Sequence, residues 1–454
     1  MAENSPTRGC MTIKPYGFAL WDNIKNALDF EIKEVGVQNA YFPVLIPMSF
    51  LTKEADHIDG FATECAVVTH HRLAKDENGV MGVDPSSELT EPYVVRPTSE
   101  TIIGESVKNW IQSYRDLPMK LNQWCNVFRW EMRTRMFLRT AEFLWQEGHN
   151  VFETAEEAQA DMELMLDIYA DILENWMAIP VIKGYKTEDE KFPGALETMT
   201  VEAMMQDGKA LQSGTSHFLG QTFSKSADIK FQSRDGDMKH AWTTSWGLST
   251  RSIGGLIMTH GDDDGLQMPP KIAPTQIIII PFLKGDNDDK ILNYCQELKQ
   301  NLKNAGMRPE VDMRDMRAGD KTWDWVKKGI PLRVEVGGRE MEEGNCTVTR
   351  RDLGRESKTT MSVTDFASNA QGTLDAIQDN LFETAKKSLH ERIIDVDNLD
   401  DARAFFAKDR QGFVRLDKSY WNTKEFNKIC SDFAVTPRCI PVDMPDKVII
   451  GKSY

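Results

Sequence analysis

Two short stretches of this chain carry side chains suited to chemistry. Phe128-Arg129-Trp130-Glu131 sets an arginine and a glutamate two residues apart, and Trp145-Gln146-Glu147-Gly148-His149 does the same for an indole, a carboxylate and an imidazole. Strand residues two apart share a face of the sheet. A hairpin of two such strands therefore aims cation, acids and aromatic rings into one cleft. A guanidinium there suits a phosphate or carboxylate, which its planar fork of N–H donors grips. Taken alone, Arg129 and Glu131 read equally well as a surface ion pair.

The surrounding elements can be read from their patterns. Residues 18–35 have helical apolar spacing closed by Gly36, and 39–46 read as a strand holding Pro43. Thr98 is placed to cap a helix running through Ile102, Ile103, Val107 and Trp110, with Glu100 in its first turn. Thr154 and Glu157 form a capping box for a helix to about Met177. Asp207-Gly208 predicts a tight turn between strands 199–206 and 209–216. Strand 240–248 leads to a glycine-containing helix that begins at Thr250 or Arg251. Residues 1–268 thus read as an α+β domain on an antiparallel sheet. No G-x-G-x-x-G or Walker A sequence occurs. Met268-Pro269-Pro270-Lys271-Ile272-Ala273-Pro274 reads as a linker, after which strands and helices alternate as in a small α/β domain over 274–390. Residues 391–454 form a third, small α+β module.

A net charge of −16 excludes a globally basic, nucleic-acid-coating protein. Any contact with nucleic acid must be local, because phosphates demand Lys and Arg where they touch. Arg314, Arg317, Lys321, Lys327, Lys328, Arg350, Arg351 and Arg355 are candidates for such a patch. The cysteines are seven in number with no C-x-x-C pair, which fits a reducing cytoplasm. The start of the chain has no signal-peptide pattern, and the aliphatic run Ile277–Ile280 is too short to cross a membrane.

Phe128-Arg129-Trp130-Glu131, with the polar loop after it and Arg139-Thr140, resembles motif 2 of the class II aminoacyl-tRNA synthetases. Gly36 and Pro43 after a long helix resemble motif 1, and Ser249-Thr250-Arg251-Ser252-Ile253-Gly254-Gly255 resembles motif 3. Three further stretches narrow the resemblance to the prolyl-tRNA synthetases of archaeal and eukaryotic type. They are Arg96-Pro97-Thr98-Ser99-Glu100, Leu144-Trp145-Gln146-Glu147-Gly148-His149 and Gln212-Ser213-Gly214-Thr215-Ser216-His217, the last with Ser213 where the family carries Gly.

The resemblance implies a ligase that joins proline to tRNA(Pro) through prolyl-adenylate. Arg129 and Arg251 would be catalytic, neutralising the α-phosphate. ATP would meet Arg129, Glu131, Arg139, Thr140, Phe143, Gln212, Thr215, Ser249 and Arg251. Proline would be held by Thr98, Glu100, Arg129, Trp145, Glu147, His149 and His217. Glu202 would hold magnesium. The 274–390 domain would read the anticodon, and motif 1 would build a homodimer. The stretch between His149 and Trp246 leaves no room for an editing domain, so alanine would be poorly rejected. The C-terminal module has only Cys430 and Cys439 where relatives bind zinc through two cysteine pairs, so no zinc site is expected. Family members usually begin further upstream, so a shortened N-terminus is expected to weaken the lid over the proline pocket. The terminal Tyr454 is expected to pack toward the catalytic domain. Another class II specificity, such as threonine, and a non-enzymatic tRNA-binding paralogue are the rival readings.

Overall fold

The computed structural model describes all residues except 56–63, 286 and 409. Among the described residues, an eleven-stranded sheet forms the backbone of the molecule. Its centre is antiparallel and runs Glu197–Met204, Ala210–Gly220, Trp242–Ser249, Glu142–Phe152, Met119–Phe128 in spatial order. One face is covered by the helices Pro15–Glu34 and Ala155–Asp171, which bury Leu20, Ile24, Leu28, Met165 and Tyr169 against it. On the strands Glu142–Phe152 and Trp242–Ser249 the even-numbered residues Gln146, Gly148, Trp246 and Leu248 face this core. Tyr169 donates to Gln146 Oε1 at 2.5 Å, and the Trp246 ring lies flat on Gly148. A Cβ at Gly148 would sit 1.9 Å from that ring, so the strand needs glycine there. Their odd-numbered residues face the other way and floor a cleft, whereas on Glu197–Met204 the phase is reversed, with Met199 and Val201 in the core and Thr198 on the cleft.

The helix ends follow local chemistry. Gly36, at φ +87, closes the first helix with its N–H on Lys33 O, and Thr154 and Glu157 form the reciprocal capping box. The turn at Asp207-Gly208 is present, with Gly208 at φ +73. The strand expected over 39–46 is instead two short pieces in different sheets. Gln38–Asn39 pairs with Leu121-Asn122, and Leu45–Pro47 pairs with Tyr93–Val95, with Pro43 lying between them.

A five-stranded mixed sheet with its own apolar core follows, built on Ile277–Pro281 and Leu332–Val336. The helix Val363–Glu391 leads from it to the last module. That module has its own core around Phe405, Phe426 and Val448. It is not detached, because Thr436–Pro441 pairs with Val181–Tyr185 and extends the central sheet. The proline-rich connection at 268–274 is no loose tether either. Met268, Ile272 and Ala273 are buried in the main core, and Gln378 donates to the Asn175 and Trp176 carbonyls beside it. No helix among the described residues is long and apolar enough to cross a membrane.

Candidate active site

The cleft encloses about 750 Å³ above the sheet face opposite the helix-covered core. Trp145, Glu147 and His149 stand in register with Ser249, Gly247 and Ser245 of the neighbouring strand, and Gly247 and Ser245 with Thr215 and His217 of the next. Pairing alone therefore brings these residues onto one floor. A register slip beside Glu202 leaves Ser213 unpaired as a bulge, where its hydroxyl donates to Leu211 O at 3.2 Å. The bulge thus accepts Ser213 in place of glycine.

One end of the cleft is a compact pocket lined by Thr98, Glu100, Glu147, His149 and His217. Thr98 donates to Glu100, and both are nearly buried at the head of the helix Glu100–Trp110. Thr98 was expected to cap that helix; its hydroxyl serves Glu100 instead, and the Ser99 side chain donates to Glu147 at 2.5 Å. His149 Nε2 lies 3.1 Å from Glu147 Oε2. Burial alone would push the His149 pKa down, but the Glu147 carboxylate and then Glu100 raise it above 6.5. Burial raises the Glu147 pKa, but the His149 bond and charge, with Ser99 and Gln123, hold it below the usual range. His217 is different: burial, then the His149 charge, lowers it to about 3, so its imidazole is neutral. Its Nδ1 lies 2.9 Å from the Thr198 hydroxyl, and its ring lies 4.7 Å from Phe192.

The other end is cationic. Arg129 and Glu131 were expected on the strand itself, but Met119–Phe128 ends one residue earlier, and Arg129 pairs its N–H with Ala141 O. The Arg129 side chain bends into the cleft, where Nε donates to Pro97 O at 2.9 Å and the guanidinium lies 5.5 Å from the Phe143 and Trp145 rings. Arg251 opens the helix Arg251–His260 and donates from Nε to Leu138 O at 2.9 Å. That helix approaches closely because Gly254 has no side chain; a Cβ would lie 2.6 Å from Leu138. Burial, then the charges of Arg129 and Arg139, loosen the Arg251 proton. Three mutually repelling guanidiniums around one space form a site for a polyanion. Glu131 is ion-paired with Arg139, Thr140 donates to Glu142 O at 2.7 Å, and the Ser249 hydroxyl accepts the Arg251 N–H at 3.2 Å. Phe143, Gln212 and Thr215 line the same space.

Glu202 is the exception. It was expected to face magnesium, but it is fully buried with both oxygens taken. Oε1 accepts from Lys186 at 2.8 Å, and Oε2 accepts from Arg438 at 2.9 Å. The cleft carboxylates Glu100, Glu131 and Glu147 each have protein partners, and the described residues hold no cluster of three metal-ligating side chains. As placed, Glu202 thus offers no free oxygen to a cation. Sequence reasoning missed Arg96, whose buried guanidinium ties Phe42 O and Asn126 O together behind Thr98, and Phe192, which walls the pocket from a loop. Arg96 stood within the quoted Arg-Pro-Thr-Ser-Glu stretch; Phe192 had no signal beyond being aromatic.

Half of the expected basic patch is engaged in ion pairs. Arg314 is paired with Asp312 and Asp324, Lys327 with Asp324, and Arg350 with Asp352. Arg351 clamps Asp262 at 2.8 and 2.5 Å across the domain boundary, and Lys321 is buried on Asp312 O. Arg317 and Arg355 remain as exposed cations. Tyr454 does reach the catalytic domain: its hydroxyl donates to Asp207 at 2.5 Å and its ring lies 5.6 Å from Arg135.

The tRNA synthetase class II core domain (G, H, P, S and T) matches residues 83–260, and the anticodon binding domain matches 276–372. The fold and cleft are those of a class II aminoacyl-tRNA synthetase. Similar proteins include the proline–tRNA ligase of Bdellovibrio bacteriovorus, 52% identical over 98% of this chain and 90% of its own length. That of Rhodopirellula baltica is 51% identical over 97% and 88%. The crystal structure of prolyl-tRNA synthetase from Cryptosporidium parvum complexed with L-proline and AMP is 36% identical, with a TM-score of 0.89 over 100% of this chain and 95% of that one. The chain belongs to the proline–tRNA ligases.

Proposed function

We propose that this chain activates L-proline with ATP and esterifies the 3′-terminal adenosine of tRNA(Pro). The observation that carries the reading is the juxtaposition in one cleft of the Thr98–Glu100 and Glu147–His149 pocket with the Arg129–Arg251 cradle. Prolinium has two N–H donors and a positive charge, which the Thr98 hydroxyl and the Glu100 carboxylate accept. Trp145, His149, neutral His217 and Phe192 enclose the pyrrolidine ring. The proline carboxylate then lies toward Arg129. One of its oxygens attacks the α-phosphorus, the new O–P bond forms, and the bond to the pyrophosphate oxygen breaks. Arg129 and Arg251 stabilise the charge that builds on the phosphoryl oxygens.

Glu131 accepts from the adenine amino group, Arg139 and Thr140 close over the nucleotide, and Phe143 offers a ring to the base. Gln212, Thr215 and Ser249 are assigned to the ribose and phosphates. Magnesium is assigned to the nucleotide as its counter-ion, and no residue of the chain is assigned to hold it. The 276–372 domain reads the anticodon, and the helix Pro15–Glu34 is the proposed homodimer element. The crystal structure of the Cryptosporidium enzyme with halofuginone and AMPPNP, 37% identical with a TM-score of 0.90, supports nucleotide binding in this fold.

Charging of a tRNA(Pro) transcript with labelled proline tests the reading. It predicts ester formation with proline and none when Glu100→Gln removes the amine's carboxylate. Full charging by the variant would refute the assignment.

A further inference from the structure

Behind the phosphate end of the cleft lies a buried triad that the reaction as described does not use. Lys186 and Arg438 both bind Glu202, at 2.8 Å and 2.9 Å, with side chains 1%, 6% and 0% exposed respectively. Lys186 also donates to the Arg438 carbonyl at 3.0 Å. Two cations share one carboxylate, so the group carries a net positive charge in a low-dielectric setting. Such a group is costly unless something nearby needs it. Lys186 lines the cleft, and Glu202 stands in register with cleft-lining Gln212. At the cleft-lining Glu190 the two cations act ahead of Glu202, whereas at Arg251 Glu202 acts ahead of Arg438. Arg438 comes from the C-terminal module, on the strand that extends the central sheet.

We infer that Arg438 is a positioning residue for nucleotide binding: through Glu202 and Lys186 the C-terminal module supplies excess positive charge behind the polyphosphate. The inference rests on the assignment of ATP to this cleft. It explains why a carboxylate on the cleft side of its strand keeps no free oxygen. Glu202 there anchors two cations instead of offering itself to a third.

The test is equilibrium dialysis of labelled ATP, and separately of labelled proline, against the full chain and three variants, with thermal unfolding as the fold control. Arg438→Gln removes one charge and is expected to weaken ATP binding roughly tenfold, the scale of one nearby charge at intermediate dielectric, with proline binding unmoved. Arg438→Lys keeps the charge and restores ATP affinity. Glu202→Gln adds net positive charge, so it leaves ATP binding as tight as in the parent, or tighter, although the fold is less stable. A merely structural triad predicts the opposite, with Arg438→Gln and Glu202→Gln weakening ATP alike; that result, or unchanged ATP binding in Arg438→Gln, overturns the inference. If Arg438→Gln does not fold, Arg438→Lys and Glu202→Gln still decide it. Because binding is read directly, absence of proline-dependent turnover would refute the proposed function without blurring this comparison.

Discussion

The Glu147 carboxylate and the His149 imidazole, two residues apart on one strand, are hydrogen-bonded at 3.1 Å at the floor of the cleft. Each holds the other in its charged form despite burial. Folding therefore raises the His149 pKa above its ordinary 6.5. Its contribution is fully present below that value and is lost as pH rises through the folded one. Glu147 acts in the opposite sense, its contribution lost only in acid. Thermal unfolding followed from pH 6 to 9 should show stability falling as pH rises, by up to about 1.4 kcal/mol per pH unit for one proton. In Glu147→Gln this component should flatten. An unchanged slope would mean that His149 is not charged by Glu147.

Phe192 packs 4.7 Å from His217 and 6.3 Å from Phe223 and lines the cleft beside the pocket proposed for proline. Phe192→Ala should raise the KM for proline about tenfold to hundredfold, the worth of a lost apolar wall of roughly 1–3 kcal/mol. The KM for ATP should not move. Equal changes in both would show that the ring supports the fold and not the pocket.

Glu131 is ion-paired with Arg139 and accepts the Arg133 N–H at 2.8 Å, which pre-orients its carboxylate at the nucleotide end. Glu131→Gln should weaken ATP by about 1–2 kcal/mol, a charge-assisted hydrogen bond exchanged for a neutral one. It should also narrow the preference for ATP over ITP, whose base lacks the amino group. A preserved preference would remove Glu131 from base recognition.

Between His149 and Trp246 the described chain is taken up by the helix Ala155–Asp171 with its π-helical end and by strands of the central sheet. Alanine, which lacks part of the proline ring, should therefore support activation at a kcat/KM lower by only about 10–200-fold. Alanyl-tRNA made by the enzyme should persist. Its rapid hydrolysis by the purified protein would reveal a correcting site within this chain.

Sequence carried the local signals well. Gly36, the Thr154–Glu157 box and the Asp207-Gly208 turn each act within a few residues, and each is present. The motif stretches also delivered the cleft floor, because alternation along a strand survives any register that pairs Trp145 with Ser249 and Thr215 with Gly247. What escaped was decided by distant partners. The strand ends just before Arg129, whose N–H still reaches Ala141 O, because the next N–H, that of Trp130, goes to Glu64 O. Glu202 keeps no free oxygen because Lys186 and Arg438, the latter 236 residues on, both reach it. The basic residues of the second domain looked like one patch, but Asp312, Asp324, Asp352 and Asp262 pair with half of them, Arg314, Lys327, Arg350 and Arg351. The proline-rich connection looked like a tether because composition does not report that Ile272 and Ala273 pack into the core.

The most direct test of the central claim is ATP–pyrophosphate exchange driven by each amino acid in turn, with Arg129→Ala alongside. Proline should drive exchange far above all others, threonine included. Removing Arg129 should lower it by about 10²–10³-fold or more, the cost of losing one donor to the developing charge. Exchange driven by another amino acid, or by none from folded protein, would contradict the account.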